Sequence, residues 1–549
     1  MDHKPFRCML DQMTNGQLQW EKLENPFDHV VLGPPENRRS YPIYSGSARY
    51  SDELKKRFPG EEKAIDEYLK LVKKTGKGIW VMAVLKLCPL PLAKFLIHTG
   101  LIKHVSYFYK MAPCSLTDVV NKLTENKDLR AVFTYIFGTY GNMPKDASFS
   151  MHSLLTTHYL NGAWYPKAGS SEIAYHMIPI IEKAGGAVLV RAPVNRILFN
   201  DAKEACGVSV LKGREEVHIK APMVISDAGI FNTYENLLPK ELQAMPEIQK
   251  QLSLVKHGEG GLSIFIGLNG TKEELGLKAN NYWIFAENNF DELVEKYMNE
   301  EREEASKKIP LLFVASPSAK DPSWEERSPD GTKEELGLKA NNYWVFAENN
   351  FDELMEGYLN EGREQASKKI PLLFIASPSA KDPSWEERSP GKSTLSLVSF
   401  VKYSWFEEWK DDKVTNRGSD YKELKQAFID SALDVVMDIF PKITKDKIAY
   451  IDAGTPITNT HYIAAPKGEF YGLDHGIARF NPEFNATIRP QTPLKNLYLT
   501  GQDVFLCGFA GALAGALTCG SVILNRNLHL DSFLLAMKTK YLDKKLKDE

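Results

Sequence analysis

The residues best suited to chemistry lie near the end of the chain, between Asn496 and Leu524, in the stretch NLYLTGQDVFLCGFAGALAGALTCGSVIL. The short apolar run Leu497–Leu499 predicts a buried strand, and Thr500-Gly501 predicts a tight turn directly after it. Asp503 then places a carboxylate just beyond the turn.

The helix that follows this turn is built from unusually small residues. It has glycine at Gly508, Gly511 and Gly515 among alanines. Each glycine costs about 0.8–1.0 kcal/mol relative to alanine inside a helix, so something must need the space. A flat group or another backbone could approach the start of the helix, where free N–H groups favour electron-rich oxygens. Close packing of the helix against a sheet is the alternative.

A second patterned region runs from Trp164 to Asn232. It predicts a helix over Ser171–Ala184 that ends at two glycines, followed by three strands. The predicted strands are Ala187–Phe199, Ala205–Leu211 and Glu216–Ser226.

A glycine- and proline-rich loop, Gly454–Gly476, carries the polar side chains best suited to donate a proton. The candidates are Thr455, His461, Tyr462 and Tyr471, as proton donors or as pocket walls. Each of them, taken alone, is more commonly an ordinary surface or core residue.

The most apolar part of the chain is Ile79–His104. Lysines and prolines interrupt it, and no uncharged apolar run approaches the ~20 residues that a spanning helix needs. We expect a broken helical pair that lies in a membrane interface and admits a lipid. A buried helical pair in a substrate-domain cap is the alternative.

Composition limits the class of protein. The chain has 549 residues, 43% hydrophobic and 25% charged, which is typical of a folded soluble protein with two or more domains. A net charge of −3 gives no support for a nucleic-acid partner. Six scattered cysteines form no metal-binding or disulfide pattern. The sequence MDHKPFRCML lacks a signal-peptide core, so no targeting segment is expected.

An internal duplication occupies the middle of the chain. Gly270–Pro329 recurs as Gly331–Pro390 with an offset of 61 residues, and seven of 60 aligned positions differ. Solenoids need about three or more units, so two near-identical copies indicate a duplication inside a larger domain. One strand, Leu262–Leu268, precedes both copies and one, Ser393–Phe400, follows both. We therefore expect one copy to fill the fold and the other to loop out.

These stretches, together with DQMTNGQLQW near the N-terminus, resemble the phytoene desaturase and carotenoid isomerase family of flavoproteins, and most closely its animal branch, the retinol saturases. The resemblance implies a mixed α/β (α+β) fold, that of a two-domain FAD-dependent oxidoreductase of the amine oxidase type. It implies that Asp503 approaches the flavin's ribityl chain and that Val194 contacts the adenine through its backbone. The cofactor-binding residues implied are Val194, Gly501, Gln502, Asp503, Gly508, Gly511 and Gly515.

The chain departs from this family in two places. The family's Gly-Gly-Ser turn is Ala168-Gly169-Ser170 here. The GxGxxG turn that binds the FAD pyrophosphate is also missing, since the nearest string, Gly258–Ser263, lacks the third glycine and leads into a strand. We expect most of the N-terminal Rossmann unit to be absent.

The resemblance implies an enzyme that saturates the 13,14 double bond of all-trans-retinol to give 13,14-dihydroretinol. It also implies NAD or NADP as a possible electron source, no metal, and a peripheral or monotopic position at the endoplasmic reticulum membrane. A carotenoid isomerase or desaturase, or a non-catalytic truncated remnant, remains an alternative.

The expected division of the chain has five parts. They are 1–163, a substrate- or membrane-facing cap; 164–232, the middle of the FAD domain; 233–485, a substrate domain with the repeat 270–329 / 331–390; 486–526, the C-terminal FAD-binding strand and helix; and 527–549, a lysine-rich tail.

Overall fold

A computed structural model of the chain describes residues 5–23, 25–32, 39–277, 281–285, 311–312, 344–346, 358–367 and 373–548. The strands are β1 Trp20–Lys22, β2 Asp28–Leu32, β3 Arg39–Ile43, β4 Trp164–Pro166, β5 Val194–Phe199, β6 Ala205–Lys212, β7 Glu215–Lys220, β8 Val224–Ser226, β9 Gly261–Asn269, β10 Asn281–Phe285, β11 Leu311–Leu312, β12 Trp344–Phe346, β13 Leu373–Ala376, β14 Lys392–Phe400, β15 Ile448–Gly454 and β16 Leu497–Leu499.

The α-helices up to the repeat are α1 Pro5–Met13, α2 Ser47–Arg57, α3 Glu62–Gly76, α4 Trp80–Leu87, α5 Leu90–His98, α6 Leu101–Val105, α7 Tyr107–Met111, α8 Leu116–Asn121, α9 Lys127–Thr134, α10 Phe149–Tyr159, α11 Ser171–Lys183, α12 Lys240–Gln243 and α13 Pro246–Leu252. Those that follow are α14 Arg363–Ala366, α15 Pro378–Lys381, α16 Trp385–Arg388, α17 Gly418–Ile439, α18 Pro456–Ile463, α19 Pro482–Thr487, α20 Gly508–Ile523 and α21 Leu528–Asp548.

The largest sheet is mixed and has the order β12-β2-β10-β13-β14-β9-β15. Its longest ladder is the antiparallel pair β9 and β14, in register from Lys392 opposite Asn269 to Phe400 opposite Gly261. Strand β9 reads GLSIFIGLN, and the side chains of Leu262, Ile264, Ile266 and Leu268 are buried. The predicted strands on either side of the repeat are therefore confirmed, and they pair with each other.

A smaller core holds the C-terminal strand. Strand β16 pairs in parallel with β8, and Leu499 lies opposite Ser226. Strands β5, β6 and β7 form a separate antiparallel meander. Side chains from both groups, including Ile197, Val224 and Leu497, pack in a core of their own. Two cores around two sheet systems confirm the predicted mixed fold.

The region between Gly185 and Ser226 differs from its prediction in two ways. The predicted strand Glu216–Ser226 is two strands, because Pro222 has no N–H to continue a ladder; β7 pairs with β6, whereas β8 pairs with β16. The predicted strand Ala187–Phe199 begins only at Val194. The helix prediction is confirmed, but α11 buries none of its side chains.

Helices α2 to α10 contribute to the large core that also holds β9 and β14. The rings of Tyr68 on α3 and Phe133 on α9 stack 4.0 Å apart, and Tyr68 also hydrogen-bonds the buried His152. The apolar stretch Ile79–His104 forms α4, α5 and the start of α6, with breaks at Pro89 and at Gly100, whose φ of +72° favours glycine. The predicted interruption of this stretch is confirmed.

Both copies of the repeat contribute strands to the large sheet. Strand β10 belongs to the first copy and pairs with β13, which belongs to the second. The expectation that a single copy fills the fold is therefore wrong for these strands. Trp283 and Trp344, which are equivalent in the two copies, both lie opposite Val30 of β2. The expected looping-out of the remaining repeat residues lies outside the described residues.

Candidate functional site

The candidate site lies where two parallel strands end. Asp227 follows β8 and the turn Thr500–Asp503 follows β16, and because these strands run parallel, their carboxyl ends meet at one edge. A cavity of about 350 Å³ opens there. It is lined by Asp227–Gly229, Phe231, Asn232, Ile463–Pro466, Glu469, Phe470, Gly472, Thr500, Gln502, Asp503, Gly508, Phe509 and Ala512.

Asp503 joins three segments around this cavity. One of its carboxylate oxygens accepts a hydrogen bond from the Ile230 N–H at 2.8 Å, and the other accepts a longer one from the Leu473 N–H at 3.4 Å. Burial raises the pKa of Asp503, while Arg479 acts in the opposite direction. A Cβ on residue 472 would lie 2.6 Å from the Asp503 carboxylate. The backbone at Gly472 can therefore approach this carboxylate only because glycine has no side chain.

Gly501 is required by the same arrangement. Its φ is +81°, and a Cβ there would overlap an Asp227 carboxylate oxygen. Burial, followed by the proximity of Asp503, raises the pKa of Asp227. The turn after β16 is thus folded tightly against the end of β8.

The glycines of α20 divide into two kinds. Gly508 lines the cavity, has a φ of +70°, and donates its N–H to the Gln502 side-chain oxygen at 3.2 Å. Gly511 and Gly515 do not line it; a Cβ would overlap the Leu506 backbone at the first and the Gly501 backbone at the second. For these two, close packing accounts for the glycine. Their predicted contact with a cofactor stays a prediction without support from the cavity lining.

Arg479 supports the turn from inside the protein. It is buried, and its Nη2 donates to the backbone oxygens of Gln502 and Asp503 at 2.8 and 2.9 Å. Burial lowers its pKa. Two carbonyls that would otherwise point into the core are therefore paired, and the turn is held in one position.

A hydrogen-bonded pair that the sequence did not reveal, His257 and Glu469, lies beside another wall of the cavity. His257 Nδ1 lies 2.5 Å from a carboxylate oxygen of Glu469, and the ring of Phe231 stacks on His257 with centroids 3.7 Å apart. Glu469 is buried and lines the cavity, and its second oxygen accepts from the Lys467 N–H. The available signal was the acidic residue in the Gly454–Gly476 loop, in the sequence KGEFYG.

The predicted proton donors are spread more widely than expected. His461 and Tyr462 lie on α18 but are exposed, Tyr462 by 71%. Thr455 is buried and caps α18, with its hydroxyl near Tyr421 and Thr458. Its role is therefore structural, which corrects the expectation for that residue. None of these three lines the cavity.

Among the predicted proton donors, Tyr471 is the one whose sequence neighbours line the cavity. It lies between Phe470 and Gly472, which both line the cavity. Its ring lies against Gly141, whose Cβ would be 3.1 Å away. Burial raises the pKa of Tyr471, so its phenol is protonated at neutral pH but is a weaker acid than an exposed tyrosine.

Val194, the predicted adenine contact, lies away from this cavity. It begins β5 and is 41% exposed. The nearby Val190 and Tyr175 are 80% and 60% exposed. Val194 is not among the residues that line the cavity with Asp503.

The described ranges hold neither a metal cluster nor a single spanning helix. No group of three or more His, Cys, Asp or Glu side chains within them could hold a metal ion. No single helix among them is long and apolar enough to cross a bilayer, although Gly508–Ile523 and Leu528–Leu542 satisfy length and composition together, with a bend of 116° between them.

Comparison with known proteins identifies close relatives. The zebrafish (Danio rerio) all-trans-retinol 13,14-reductase is 64% identical over 539 residues, which cover 98% of this chain and 79% of that protein. The human (Homo sapiens) protein of the same name is 42% identical over 97% of this chain and 78% of its own length. Another zebrafish protein, named inactive all-trans-retinol 13,14-reductase, is 34% identical over 97% and 78%. No family profile matches the chain.

Proposed function

The chain belongs to the all-trans-retinol 13,14-reductase family, and on that basis we propose that it is an FAD-dependent oxidoreductase that reduces all-trans-retinol to 13,14-dihydroretinol. The observation that carries the proposal is the cavity at the carboxyl ends of β8 and β16, with Asp503 at its base and the start of α20 at its side. Open α/β sheets bind their ligands at such edges.

The residues at this edge fit the flavin end of FAD. Asp503 and Gln502 supply oxygens that can accept hydrogen bonds from ribityl hydroxyls. Gly508 leaves open space where a Cβ would stand, so a flat ring can approach the first turn of α20 and its N–H groups. The adenine end fits less well among the described residues, since Val194 and its neighbours are exposed. The proposed cofactor role of Val194 therefore rests on the family resemblance alone.

The chemistry divides between cofactor and protein. A bound flavin would supply the hydride for the double bond. Phe231, Ile463 and Phe509 give the cavity apolar walls against which an apolar substrate could lie. Tyr471 is the proposed proton donor, because it lies between the cavity-lining residues Phe470 and Gly472 and carries a hydroxyl that is protonated at neutral pH. His461 and Tyr462 remain weaker candidates, since both are exposed.

Two further parts of the proposal concern the surroundings of the enzyme. NAD or NADP is proposed as the source of electrons for the flavin, by analogy with the family. A peripheral or monotopic position at the endoplasmic reticulum membrane is proposed because retinol is an apolar alcohol that partitions into bilayers. The exposed apolar side chains of α4 and α5 support this position.

The test is the mass of the product. Purified protein preincubated with FAD is given all-trans-retinol and a chemical reductant of flavins, and the retinoids are separated and weighed by mass spectrometry. A reductase yields a product heavier by two hydrogens. A carotenoid-type isomerase would leave the mass unchanged and a desaturase would lower it by two hydrogens, and either result would refute the proposal.

A non-catalytic role is the second candidate, and one observation favours it. A 34% identical relative is named inactive although it has similar coverage. Family membership alone therefore does not separate active from inactive members. In the same assay, a protein that binds FAD in the cavity but yields no dihydroretinol would support this second candidate.

A further inference from the structure

Helix α4 contains a buried lysine that has no part in the cavity or in the proposed reaction. Lys86 lies in the most apolar stretch of the chain, yet its side chain does not turn to solvent and is fully buried. Lysine is almost never fully buried unless it is paired. Burial, and then the nearby guanidinium groups of Arg479 and Arg489, lower the pKa of Lys86 well below its usual value. A lysine in this position needs specific partners.

The partners of Lys86 lie at the end of helix α19. Its Nζ donates to the backbone oxygens of Ile488 at 2.6 Å and of Asn485 at 3.2 Å. The last carbonyls of a helix lack partners within the helix and carry partial negative charge, which favours a cation. Because α19 has six residues, few hydrogen bonds of its own hold it in place. Lys86 thus caps α19 from another helix.

A second contact between the same two segments runs in the opposite direction. Arg489, directly after Ile488, donates from Nη2 to the backbone oxygen of Lys86, and also to that of Cys88 at 2.7 Å. Each segment therefore pairs buried carbonyls of the other. The end of α4 and the end of α19 are fixed relative to each other by side chains from both.

Helix α19 is connected in turn to Thr500–Asp503, which we call the cofactor turn. Asn485 donates from Nδ2 to the backbone oxygen of Arg479 at 3.3 Å. The Arg479 guanidinium lies over the Phe484 ring, 5.1 Å from its centroid, and donates to two carbonyls of the cofactor turn. A continuous series of contacts therefore runs from Lys86 through α19 and Arg479 to this turn.

We propose that Lys86 is a positioning residue for the cofactor site: it caps α19, α19 holds Arg479, and Arg479 holds the turn that presents Asp503. Without the Lys86 ammonium, two buried carbonyls at the end of α19 lose their donor and the helix can shift. A displacement of about 1 Å at a site can cost about 10²-fold in rate. The inference rests on the proposed function only for the identity of the ligand, FAD.

The experiment compares Lys86→Met with a matched control, Tyr68→Phe. Methionine is unbranched, flexible and apolar, so it fills the space of the lysine and removes the donors. The control also removes a buried donor, because the Tyr68 hydroxyl donates to the Phe133 backbone oxygen at 3.0 Å. Tyr68 takes no part in the series from Lys86 to the cofactor turn. General destabilisation therefore affects both variants, whereas loss of positioning affects one.

Hydrogen exchange of the apoproteins is the first readout. Mass spectrometry follows peptides that span residues 497–507, well below the melting temperature. We expect these amides to exchange about tenfold faster in Lys86→Met than in the wild type, and at the wild-type rate in Tyr68→Phe. Exchange at the wild-type rate in Lys86→Met, or equal acceleration in both variants, overturns the proposal.

The dissociation constant of FAD is the second readout. Lys86→Met should raise it about fivefold to tenfold, although Lys86 does not line the cavity, and Tyr68→Phe should leave it unchanged. An unchanged constant in Lys86→Met overturns the proposal. A wild-type chain that binds no FAD, but whose Lys86 variant shows the faster exchange, would refute the proposed cofactor and support the role of Lys86 in holding the turn.

Asn485→Ala tests the route. It breaks the next link of the series, so it should accelerate exchange at the cofactor turn as Lys86→Met does. Because both substitutions interrupt one series, the double variant should bind FAD no more weakly than the weaker of the two single variants. Losses that add in full overturn the proposal. If Lys86→Met does not fold, Asn485→Ala alone decides, and wild-type exchange in that variant overturns the proposal.

Discussion

Asp503 combines a role that the sequence suggested with one that it did not show. The resemblance of Gly501–Asp503 to the family's Gly-x-Asp turn predicted a cofactor contact. The hydrogen bonds from Ile230 and Leu473 could not be predicted, because those residues are distant in sequence and meet only in the folded chain. The same carboxylate thus shapes the cavity that it lines.

Asp503→Ala should therefore weaken FAD binding by more than a direct contact alone would. Removing both acceptors leaves the N–H groups of two cavity segments without partners, and we expect at least a tenfold loss of affinity. Asp503→Asn keeps one acceptor oxygen and should lose less. Flavin retained per chain after desalting measures both. Retention by the alanine variant equal to that of the wild type would remove Asp503 from the site.

Tyr471→Phe tests the proposed proton donor. The substitution removes the hydroxyl and keeps the ring against Gly141, so FAD retention should not change. The turnover number should fall by about 10²-fold or more, as expected for loss of a general acid. His461→Gln and Tyr462→Phe serve as controls, because both residues are exposed. Full activity in the Tyr471 variant, with loss in either control, would reverse the assignment.

Glu361 gives a pH dependence of stability. It is partly buried, and burial raises its pKa from 4.5 to about 8. The folded state therefore keeps the proton to a higher pH than the unfolded state, and stability falls as pH rises from about 4.5 to about 8. Glu361→Gln removes this contribution, so the variant should lose less stability across that range. Denaturant midpoints at both ends of the range measure the difference; parallel losses in wild type and variant would contradict the account.

The strand β16 and the helix α20 were predictable because their signals are local. Three apolar residues, a glycine turn and a run of small residues specify them without any knowledge of the rest of the fold. The division of the predicted strand Glu216–Ser226 was not predictable in the same way. Whether residues on either side of Pro222 continue one ladder depends on where β6 and β16 lie, and that is a property of the assembled sheets.

Gly515→Ala distinguishes close packing from a cofactor contact. A Cβ there would overlap the backbone of Gly501, which cannot move without displacing the turn. The protein should lose about 2–3 kcal/mol of stability even without FAD. Gly520→Ala, in the same helix, meets the end of the Leu528 side chain at 2.9 Å and should be neutral or stabilising by up to about 1 kcal/mol. The free energies of unfolding of both apoprotein variants are measured by urea titration. A Gly515→Ala variant as stable as the wild type would contradict the proposed close packing at this position.

At the scale of the whole molecule, the duplication is the feature whose structure could not be predicted from the sequence. The two copies could be aligned residue by residue, and the strands on either side of them were predicted correctly. Which copy enters the sheet could not be predicted, since the copies are almost identical and offer the same contacts. The described strands of the sheet include β10 and β11 from the first copy and β12 and β13 from the second, so both copies enter it.

Removing residues 286–346 should therefore leave the fold intact. The deletion joins Phe285 to Ala347, which restores a single copy with β10 and β13 in place. The deletion also removes β11 and β12, but the melting temperature should stay equal or rise, because the shorter chain loses less conformational entropy on folding. Deleting Gly331–Pro390 leaves nearly the same sequence and should give nearly the same melting temperature. A clear fall in both variants would mean that the second copy contributes to the core.

The most direct test of the account is the visible absorbance spectrum of the purified chain after incubation with FAD and desalting. The account places a flavin at the carboxyl ends of β8 and β16, so the wild type should show a flavin spectrum near one per chain, and Asp503→Ala should show much less. A colourless wild-type protein would contradict the account, because every further step of the proposed reduction requires that cofactor.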